Sequence, residues 1–277
     1  MHYILCNHLA NSGRGADTVA QLRAAHPGES FIEMNVIGVD LKEFFAALMP
    51  ADRVYLIGGD GSVNQFANRV ADIPLHNEVY LYKSGTGNDF LRDINKLRER
   101  EILLNPYLKD LPTVSVNGKC IRFVNGAGCG IDGAVCSGVE ASKRAGKNGN
   151  YTAIALKTLI SGYHCPEATV ETDGTTRQYR NVWMCSAMKG RFCGGGMMLA
   201  PQQNRADGLL TCFLVHDANP LQLLPIFPSI FKGTHIRHTR FVQAVKCRHI
   251  RVSFSLPVAM QIDGEVIENV SAYEAFV

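Results

Sequence analysis

Two glycine-rich turns, each between a buried strand and a helix, constrain the fold of this chain most strongly. The first turn, GGDGS, follows the apolar run Val54–Ile57 and precedes a helical pattern over Val63–Val70. The second turn, SGTGND, follows the apolar run Val79–Tyr82. Consecutive strand–turn–helix units predict a parallel sheet covered by helices. Both turns then lie at the carboxyl ends of strands, where open α/β sheets bind ligands.

The pattern changes near Pro112, where turn signals typical of antiparallel hairpins begin. Asn-Gly and Asp-Gly pairs between apolar runs, at Asn117–Gly118 and Asp173–Gly174, predict type I′ turns. Two helical patterns interrupt this half, at about Gly133–Lys143 and Tyr151–Ser161. We therefore predict an α/β nucleotide-binding domain over residues 1–112 and a β-rich, mainly antiparallel domain over residues 113–277. Whether the C-terminal segment returns to the first domain stays open.

Composition excludes several classes of function. The net charge of +3 is too small to make nucleic acid the main partner. The longest apolar stretch, Leu221–Phe231, contains two prolines and falls short of the roughly 18–20 residues that span a bilayer. Nine cysteines without a C-x-x-C pair indicate reduced thiols, so we expect a cytoplasmic protein.

The residues of both turns indicate a phosphate site. Gly58, Gly59 and Gly61 permit backbone angles that other residues avoid, so that amide groups can surround an anion. The following helix adds the positive end of its dipole. Asp60 would repel a phosphate unless a divalent cation lay between them. The alternative is a pair of ordinary turns, with Asp89 capping a helix.

Other nucleotide motifs are absent or incomplete. The sequence has no G-x-x-x-x-G-K-[ST] loop and no protein-kinase signature. A formal G-x-G-x-x-G occurs at Gly128, Gly130 and Gly133, but no acidic residue occurs between Glu140 and Glu167. Because a dinucleotide site requires an acid about 20 residues further on, the fingerprint does not predict one here.

Five blocks in a fixed order resemble the diacylglycerol kinase catalytic family, in its soluble bacterial lipid-kinase branch, which is related to the sphingosine kinases. They are GGDGSVNQFAN, SGTGNDFLRD, NGAGCGID, FCGGGMMLAPQQNRADGLL and QIDGEVI. This resemblance, which runs along nearly the whole chain, implies a β-sandwich as the second domain and ATP between the two domains. It also implies transfer of the γ-phosphoryl group of ATP to a lipid hydroxyl, with diacylglycerol, giving phosphatidic acid, as the favoured acceptor.

The same resemblance assigns roles to individual residues. The residues implied to contact ATP are Asn7, Ser12, Gly59, Asp60, Gly61, Ser62, Asn64, Gly85, Thr86 and Asn88. Those implied to hold Mg²⁺ are Asp60, Asp89 and Asp263, with Asp207 at a structural magnesium position. Glu265 is the implied general base, next to Asp263, and Asp60 competes with it for that role. A carboxylate that takes the proton of an attacking hydroxyl contributes on the order of 10²–10⁴ in rate.

Two other functions remain as alternatives. An NAD kinase would share GGDG but phosphorylate a soluble nucleotide, and the SGTGND and Asp-Gly-Glu blocks argue against it. A nucleotide- or lipid-binding regulator without turnover is the second alternative. The presence of Asp60, Asp89, Asp263 and Glu265 argues against the regulator.

A basic segment, residues 232–251, suggests peripheral contact with a membrane that presents the lipid substrate. No acidic residue occurs between Asp217 and Asp263. Basic residues near an anionic leaflet contribute roughly 1 kcal/mol each. Neighbouring apolar residues are expected as shallow contacts, namely Ile226, Phe227, Ile230 and Phe231. The alternative is a solvated face with these apolar residues in the core. The oligomeric state, a homodimer included, stays open.

Overall fold

The computed structural model describes residues 1–7, 15–84, 88–146, 150–161 and 163–277. They form two compact units, Met1–Leu111 and Pro112–Val277. The boundary lies one residue before the position expected from the sequence. The C-terminal segment belongs to the second unit. Within the described residues, no helix is long and apolar enough to cross a bilayer.

The first unit is built on a five-stranded sheet with the strand order β2-β1-β3-β4-β5. Its strands are β1 (His2–Cys6), β2 (Phe31–Asn35), β3 (Arg53–Gly58), β4 (Glu78–Lys83) and β5 (Glu101–Leu103). Its helices are α1 (Gly15–Ala25), α2 (Leu41–Ala47), α3 (Asp60–Arg69) and α4 (Asp89–Asp93). Strands β1 to β4 are parallel and β5 is antiparallel to β4. The parallel sheet predicted from the glycine-rich turns is confirmed.

Local sequence explains these elements. Strand β3 is buried from Val54 to Gly58, as expected where helices cover both faces of a parallel sheet and apolar residues run on continuously. Helix α2 begins after Asp40, whose carboxylate accepts the amides of Lys42 and Glu43. Such a cap supplies acceptors for amides that have no partner within the helix.

The second unit is a β-sandwich whose main path is β13-β12-β11-β8-β14-β15-β6-β7, with β9 joining β14 and β10 joining β9. Its strands are β6 (Thr113–Val116), β7 (Lys119–Arg122), β8 (Gly126–Gly130), β9 (Ala168–Thr172), β10 (Thr175–Tyr179), β11 (Met184–Met188), β12 (Leu210–Val215), β13 (Val242–Cys247), β14 (His249–Ile262) and β15 (Glu265–Phe276). Its α-helices are α5 (Ile131–Arg144), α6 (Tyr151–Ile160) and α7 (Pro220–Leu223), and two 3-10 segments follow at Phe227–Lys232 and Thr234–Arg237. The paired strands are antiparallel, as predicted.

Three hairpins of this unit turn through two left-handed residues each. Asn117–Gly118 has φ angles of 47° and 74°, and Asp173–Gly174 has 46° and 82°. Both turns confirm the prediction from the sequence, because a type I′ turn requires positive φ at both central residues. A third turn of the same kind, Asp263–Gly264 with φ angles of 48° and 94°, joins β14 to β15.

Several strands of the second unit, β8 and β15 among them, are not predicted from the sequence. Strand β8 contains three glycines, which have low β propensity, so the segment reads as a loop. Strand β15 has buried residues only at Val270, Tyr273 and Ala275, too sparse a pattern to predict a 12-residue strand. Strand β14 is long, and its pairing with β15 is irregular between Ser253 and Val258.

Candidate active site

The strands that lead into the two glycine-rich turns of the first unit lie side by side. Strand β3 pairs with β4 in parallel, so Gly58 and Lys83, the last residues of the two strands, lie at the same edge of the sheet. The amide of Ser84 donates to the carbonyl oxygen of Gly58 at 2.8 Å, which joins the start of the second turn to the first. Three residues predicted to contact ATP lie outside the described residues, namely Ser12, Gly85 and Thr86.

Asp60 connects the two turns through its carboxylate. Its Oδ2 accepts the amide of Asp89 at 2.8 Å, and its Oδ1 accepts the amide of Phe90 at 3.0 Å. These amides belong to the first turn of α4, where a carboxylate is stabilised by the unpaired N–H groups and the helix dipole. Because each carboxylate oxygen has a second lone pair, Asp60 can hold α4 and still face a cation or a bound water.

The glycines of the first turn do not have the left-handed backbone angles that other residues avoid. Gly59 has φ −126°, and neither Gly58 nor Gly61 is in the left-handed region. At Gly58 a Cβ would lie 2.1 Å from Ser62 Oγ and 2.2 Å from its Cβ. The expectation that these glycines adopt unusual backbone angles is therefore wrong, because none of the three has a positive φ angle. Gly58 is required instead because Ser62 approaches it closely.

The first turn of α3 fits a phosphate group. Gly59 stands at the N-cap and provides no side-chain hydrogen bond to the helix, and a Cβ added at Gly61 would meet nothing within 4 Å. The first amides of a helix have no partner within it and favour an anion. Asp60 and Asp89 stand at the starts of neighbouring helices, where a divalent cation would offset their repulsion of phosphate. The residues of this unit thus fit both ATP and Mg²⁺.

Three asparagines predicted to contact ATP are buried or half-buried. Asn64 and Asn88 are buried, with 4% and 6% of their surfaces exposed. The side-chain amide of Asn68 donates to Asn64 Oδ1 at 3.3 Å. Asn7 follows β1 and is half-buried. Contact of these residues with ATP stays a prediction.

The Asp-Gly-Glu segment of the second unit forms the hairpin turn between β14 and β15. Asp263 Oδ1 accepts the amides of Asn125 and Gly126 at 2.8 and 3.0 Å, and its Oδ2 accepts the amide of Val124 at 2.5 Å. The carboxylate therefore attaches the turn to the segment before β8. Glu265, the predicted base, is exposed at the start of β15. Asp263 positions this turn, and its predicted contact with Mg²⁺ stays a prediction.

Asp207 forms an ion pair at the position predicted to bind structural magnesium. Lys246 Nζ lies 2.7 Å from its Oδ2, and the amide of Leu209 donates to its Oδ1 at 3.0 Å. Partial burial is the largest single effect and raises the pKa of Asp207, but the hydrogen bonds from Lys246 and the Leu209 amide, together with the nearby positive charges, outweigh it and leave the pKa below its ordinary value. The binding of structural magnesium at Asp207 stays a prediction. The described parts of the chain contain no cluster of three His, Cys, Asp or Glu side chains that could hold a metal ion.

The second unit contains an apolar cavity of about 120 Å³ that is partly open to the outside. Helices α5, α6 and α7, strands β11 to β13 and both 3-10 segments contribute to its wall, with side chains such as Val135, Leu159, Trp183, Met197, Phe213 and Phe227. A cavity of about 150 Å³ lined by such side chains stays dry and binds benzene. This cavity therefore has room for a segment of one alkyl chain.

One acid, Asp132, lines this apolar cavity. Its Oδ1 accepts the amide of Gly133 at 2.9 Å, and its Oδ2 accepts the Ser186 hydroxyl at 3.0 Å. The side-chain amide of Gln261 is 3.5 Å from Oδ2, and the Gln261 Oε1 accepts the amide of Gly264 at 3.0 Å. Full burial raises the pKa of Asp132 to about 6, although these hydrogen bonds lower it. Gln261 thus connects the acid of the cavity to the turn that carries Glu265.

One glycine of β8, Gly128, creates the space for Asp132. Gly128 pairs with Ser186 on β11 and with Gln261 on β14, so the three residues form one row across the sheet. A Cβ at Gly128 would lie 2.0 Å from Ser186 Oγ and 2.5 Å from Asp132 Oδ2. The carboxyl group of Asp132 occupies the place of the missing side chain. At the other two glycines of the formal dinucleotide fingerprint, Gly130 and Gly133, a Cβ would collide with the carbonyl oxygens of Trp183 and Ala259.

Asp132 is the site residue that the sequence analysis misses. Its signal is the segment GAGCGID, in which glycines alternate along a strand and an acid follows at the start of a helix. Alternate positions face the same side of a sheet, so such glycines open one face. A carboxylate directly after them is a candidate to fill that space.

Comparisons with known proteins agree with this arrangement. Residues 2–110 match the diacylglycerol kinase catalytic domain, and residues 126–276 match the YegS C-terminal NAD kinase beta sandwich-like domain. The chain is 27% identical over 245 residues to a diacylglycerol kinase of Mycobacterium tuberculosis, covering 81% of this chain and 77% of the relative. It is 23% identical over 225 residues to a diacylglycerol kinase of Bacillus subtilis, covering 79% and 73%.

A solved structure shares the fold. A crystal structure of a diacylglycerol kinase from Bacillus anthracis superposes with a TM-score of 0.62 at 17% sequence identity, covering 99% of this chain and 93% of that chain. The matches to both family models define the class of protein, a lipid kinase. The chain belongs to the diacylglycerol kinase family of lipid kinases, in the branch with the YegS-type C-terminal domain.

Proposed function

We propose that this protein transfers the γ-phosphoryl group of ATP to a lipid hydroxyl, with diacylglycerol as the first acceptor to consider and phosphatidic acid as its product. The observation that carries the proposal is the apolar cavity with one buried acid on its wall. An alkyl segment fits such a cavity, whereas the ribose of a soluble nucleotide would lose its hydration there without compensation. The cavity therefore supports the lipid kinase over the NAD kinase alternative.

The first unit supplies the groups that hold the nucleotide. Bound Mg-ATP provides the phosphoryl group, and its cation neutralises part of the phosphate charge. The protein contributes mainly positioning and electrostatic stabilisation. The first-turn amides of α3 bind phosphate oxygens, and Asp60 and Asp89 hold the cation. The hydrogen bonds of Asp60 to the amides of Asp89 and Phe90 keep the two helix starts in register.

The second unit binds the lipid acceptor and provides the base that removes the proton of its hydroxyl. Glu265 takes the proton of the lipid hydroxyl as that oxygen attacks. Asp263 and Gln261 fix the turn that precedes Glu265 through their bonds to backbone amides. The exposed position of Glu265, against the use of both Asp60 oxygens by α4, supports Glu265 as the base.

Phosphate transfer from labelled Mg-ATP to a lipid panel in mixed micelles tests the proposal, with NAD as a parallel acceptor. Glu265→Gln is expected to lower kcat by about 10²–10⁴ while ATP affinity is retained. Glu268→Gln is the matched control. Glu268 lies on the same strand and accepts the Ser137 hydroxyl, a bond that glutamine can keep.

The outcomes separate the functions. Labelled lipid that disappears only in the Glu265 variant supports the kinase, whereas labelled NAD would replace it with the alternative. ATP binding without transfer to any acceptor would favour a non-catalytic regulator.

Local ion pairs reduce the number of basic residues in segment 232–251 that are available to a membrane. Lys246 pairs with Asp207, and His249 and Arg251 contact Glu274, so these side chains already have acidic partners. The exposed lysines and arginines outside those pairs are Lys232, Arg237, Arg240 and Arg248. Of the four apolar contacts expected from the sequence, Ile226, Phe227 and Ile230 line the cavity, whereas Phe231 is 40% exposed.

Other exposed apolar side chains stand on the elements that form the cavity wall. Leu221 on α7 is 80% exposed, and Leu156 and Ile160 on α6 are 38% and 60% exposed. We propose that these three side chains, with Phe231 and the basic residues near it, contact the surface of an anionic membrane. A lipid could then pass from that surface into the cavity without crossing water.

Co-sedimentation with phosphatidylglycerol vesicles tests this surface. Leu221→Ser with Phe231→Ser is expected to weaken binding by about tenfold or more, because each side chain loses apolar burial. Leu256→Ser is the matched control, since Leu256 is 45% exposed on β14. Equal binding by both variants would exclude the proposed surface.

A further inference from the structure

One buried polar atom of a residue that lines the apolar cavity has no hydrogen-bond partner within the described part of the chain. His235 lies in the second 3-10 segment, lines the cavity and is 2% exposed. Its Nδ1 is buried and unpaired. Asp132 and Gln261, which also line the cavity, bond to neighbouring groups. The described residues thus leave His235 Nδ1 as a polar position that a ligand could complete.

The neighbours of His235 define which kind of partner Nδ1 requires. Its Nε2 lies 3.0 Å from the carbonyl oxygen of Leu199. A carbonyl oxygen can only accept, so Nε2 carries the hydrogen. Burial lowers the pKa of His235, which keeps the ring neutral and leaves Nδ1 as a lone-pair acceptor. The ring of Phe213 meets the imidazole edge-on at 5.4 Å between centroids and limits its rotation.

A buried acceptor without a donor is unfavourable, and almost all such groups in folded proteins have a partner. Ligand sites in proteins typically combine an apolar wall with a few polar groups that set orientation and specificity. The wall of this cavity has that composition. Ester carbonyl oxygens and alkyl groups are not donors and cannot satisfy Nδ1, whereas a hydroxyl or an amide N–H can.

We propose that His235 selects lipids that carry a hydrogen-bond donor in addition to the hydroxyl that is phosphorylated, by accepting that donor at Nδ1. The inference rests on the proposed function, because it assumes that the lipid enters this cavity. It ranks an acceptor such as a monoacylglycerol, which has a second hydroxyl and a single chain, above diacylglycerol. The room for a segment of one chain agrees with that ranking.

The single tryptophan of the chain provides a readout that is independent of catalysis. Trp183 lines the same cavity and is 3% exposed. A lipid with a brominated chain quenches tryptophan fluorescence on contact, so the quenching titration gives a Kd. Two brominated probes differ by one hydroxyl, a 1-monoacylglycerol and the monoester of propane-1,3-diol with the same chain.

Two substitutions of His235 separate its two nitrogens. His235→Gln can keep a donor for Leu199 at the position of Nε2 but places no acceptor at the position of Nδ1. His235→Asn places its amide oxygen near the position of Nδ1. The wild type is expected to bind the glycerol probe about three- to tenfold more tightly than the diol probe. His235→Gln is expected to bind the two probes equally, and His235→Asn to regain part of the preference.

Each outcome bears on the inference. Equal quenching of the wild type by both probes, or an unchanged preference in His235→Gln, overturns the role of His235 and leaves the lipid kinase intact. Absence of quenching by either probe overturns both the inference and the use of this cavity. If His235→Gln does not fold, as judged by its circular dichroism, the comparison of the two probes in the wild type and His235→Asn still decides.

Discussion

The two glycine-rich regions of this protein place an acid in opposite environments. In the first unit, the glycines lead into the open start of α3, and Asp60 is half-buried with its carboxylate on the amides of α4. In the second unit, Gly128 of β8 leaves a space within the sheet, and the carboxyl of Asp132 lies there. Glycines beside an acid thus leave a helix start open in one unit and make room for a buried acid in the other. The surroundings of each glycine, and not the number of glycines, decide which of these two arrangements forms.

The backbone of Gly130 provides the strongest test of this difference. Gly130 has φ +117°, and an added Cβ would lie 2.4 Å from the carbonyl oxygen of Trp183. Because β11 would have to move, Gly130→Ala is expected to lower the free energy of unfolding of the second unit by about 3 kcal/mol or more. Urea unfolding measures the change.

Gly118→Ala is the control for that experiment. Gly118 has φ +74°, but an added Cβ there would meet nothing within 4 Å. Gly118→Ala is therefore expected to lower the free energy of unfolding only by the cost of backbone strain, about 1–2 kcal/mol. If Gly130→Ala cost no more than Gly118→Ala, the crowding at β8 would not exist.

The burial of Asp132 predicts a pH-dependent effect of Asp132→Asn. The pKa of Asp132 rises from its ordinary value of 3.8 to about 6 on folding. Between these values the folded state binds more protons than the unfolded state, so stability falls as pH rises through about 6. The shift corresponds to about 3 kcal/mol at most. Asparagine does not titrate, so the variant gains stability relative to the wild type by up to that amount between about pH 4 and pH 7.

Unfolding by urea at several pH values measures this difference. Subtracting the wild type from the variant at each pH removes the contribution of the other carboxyl groups. A difference that stays constant with pH would show that Asp132 has an ordinary pKa, and the contrast with a surface acid would disappear.

The sequence predicts the parts of this structure that local rules determine. The parallel sheet follows from the two strand–turn–helix units, and the hairpins follow from Asn117–Gly118 and Asp173–Gly174. The Asp-Gly-Glu turn is also a hairpin, but the bonds of Asp263 to amides more than 130 positions away are not visible in the sequence. Neither is the space that β8 leaves for Asp132. Both depend on which strands become neighbours, and that is decided by packing over long sequence separations.

Asp60→Asn tests whether the acid of the first unit also has a structural role. Asp60 uses one carboxylate oxygen for the amide of Asp89 and the other for the amide of Phe90. Asparagine replaces one acceptor with a donor, so one amide loses its partner and the unfolding free energy of the first unit falls by about 1–2 kcal/mol. Urea unfolding measures the loss.

Asp40→Asn provides the matched comparison. Both amides capped by Asp40 donate to the same oxygen, Oδ1, which asparagine retains. Asparagine is as good an N-cap as aspartate, so this change is expected to be neutral within a few tenths of a kcal/mol. Equal losses in the two variants would show that Asp60 does not hold α4 with both oxygens.

Gly61→Ala is expected to give the smallest change in stability, of opposite sign. Gly61 lies in the first turn of α3, outside the left-handed region, and an added Cβ would meet nothing within 4 Å. Alanine in place of a helical glycine stabilises by up to about 1 kcal/mol. If the first turn of α3 binds phosphate, the new methyl group stands beside the anion, and KM for ATP rises while the unfolding free energy does not fall. A loss of stability would instead mean that this turn is packed as tightly as β8, and the open anion site would be excluded.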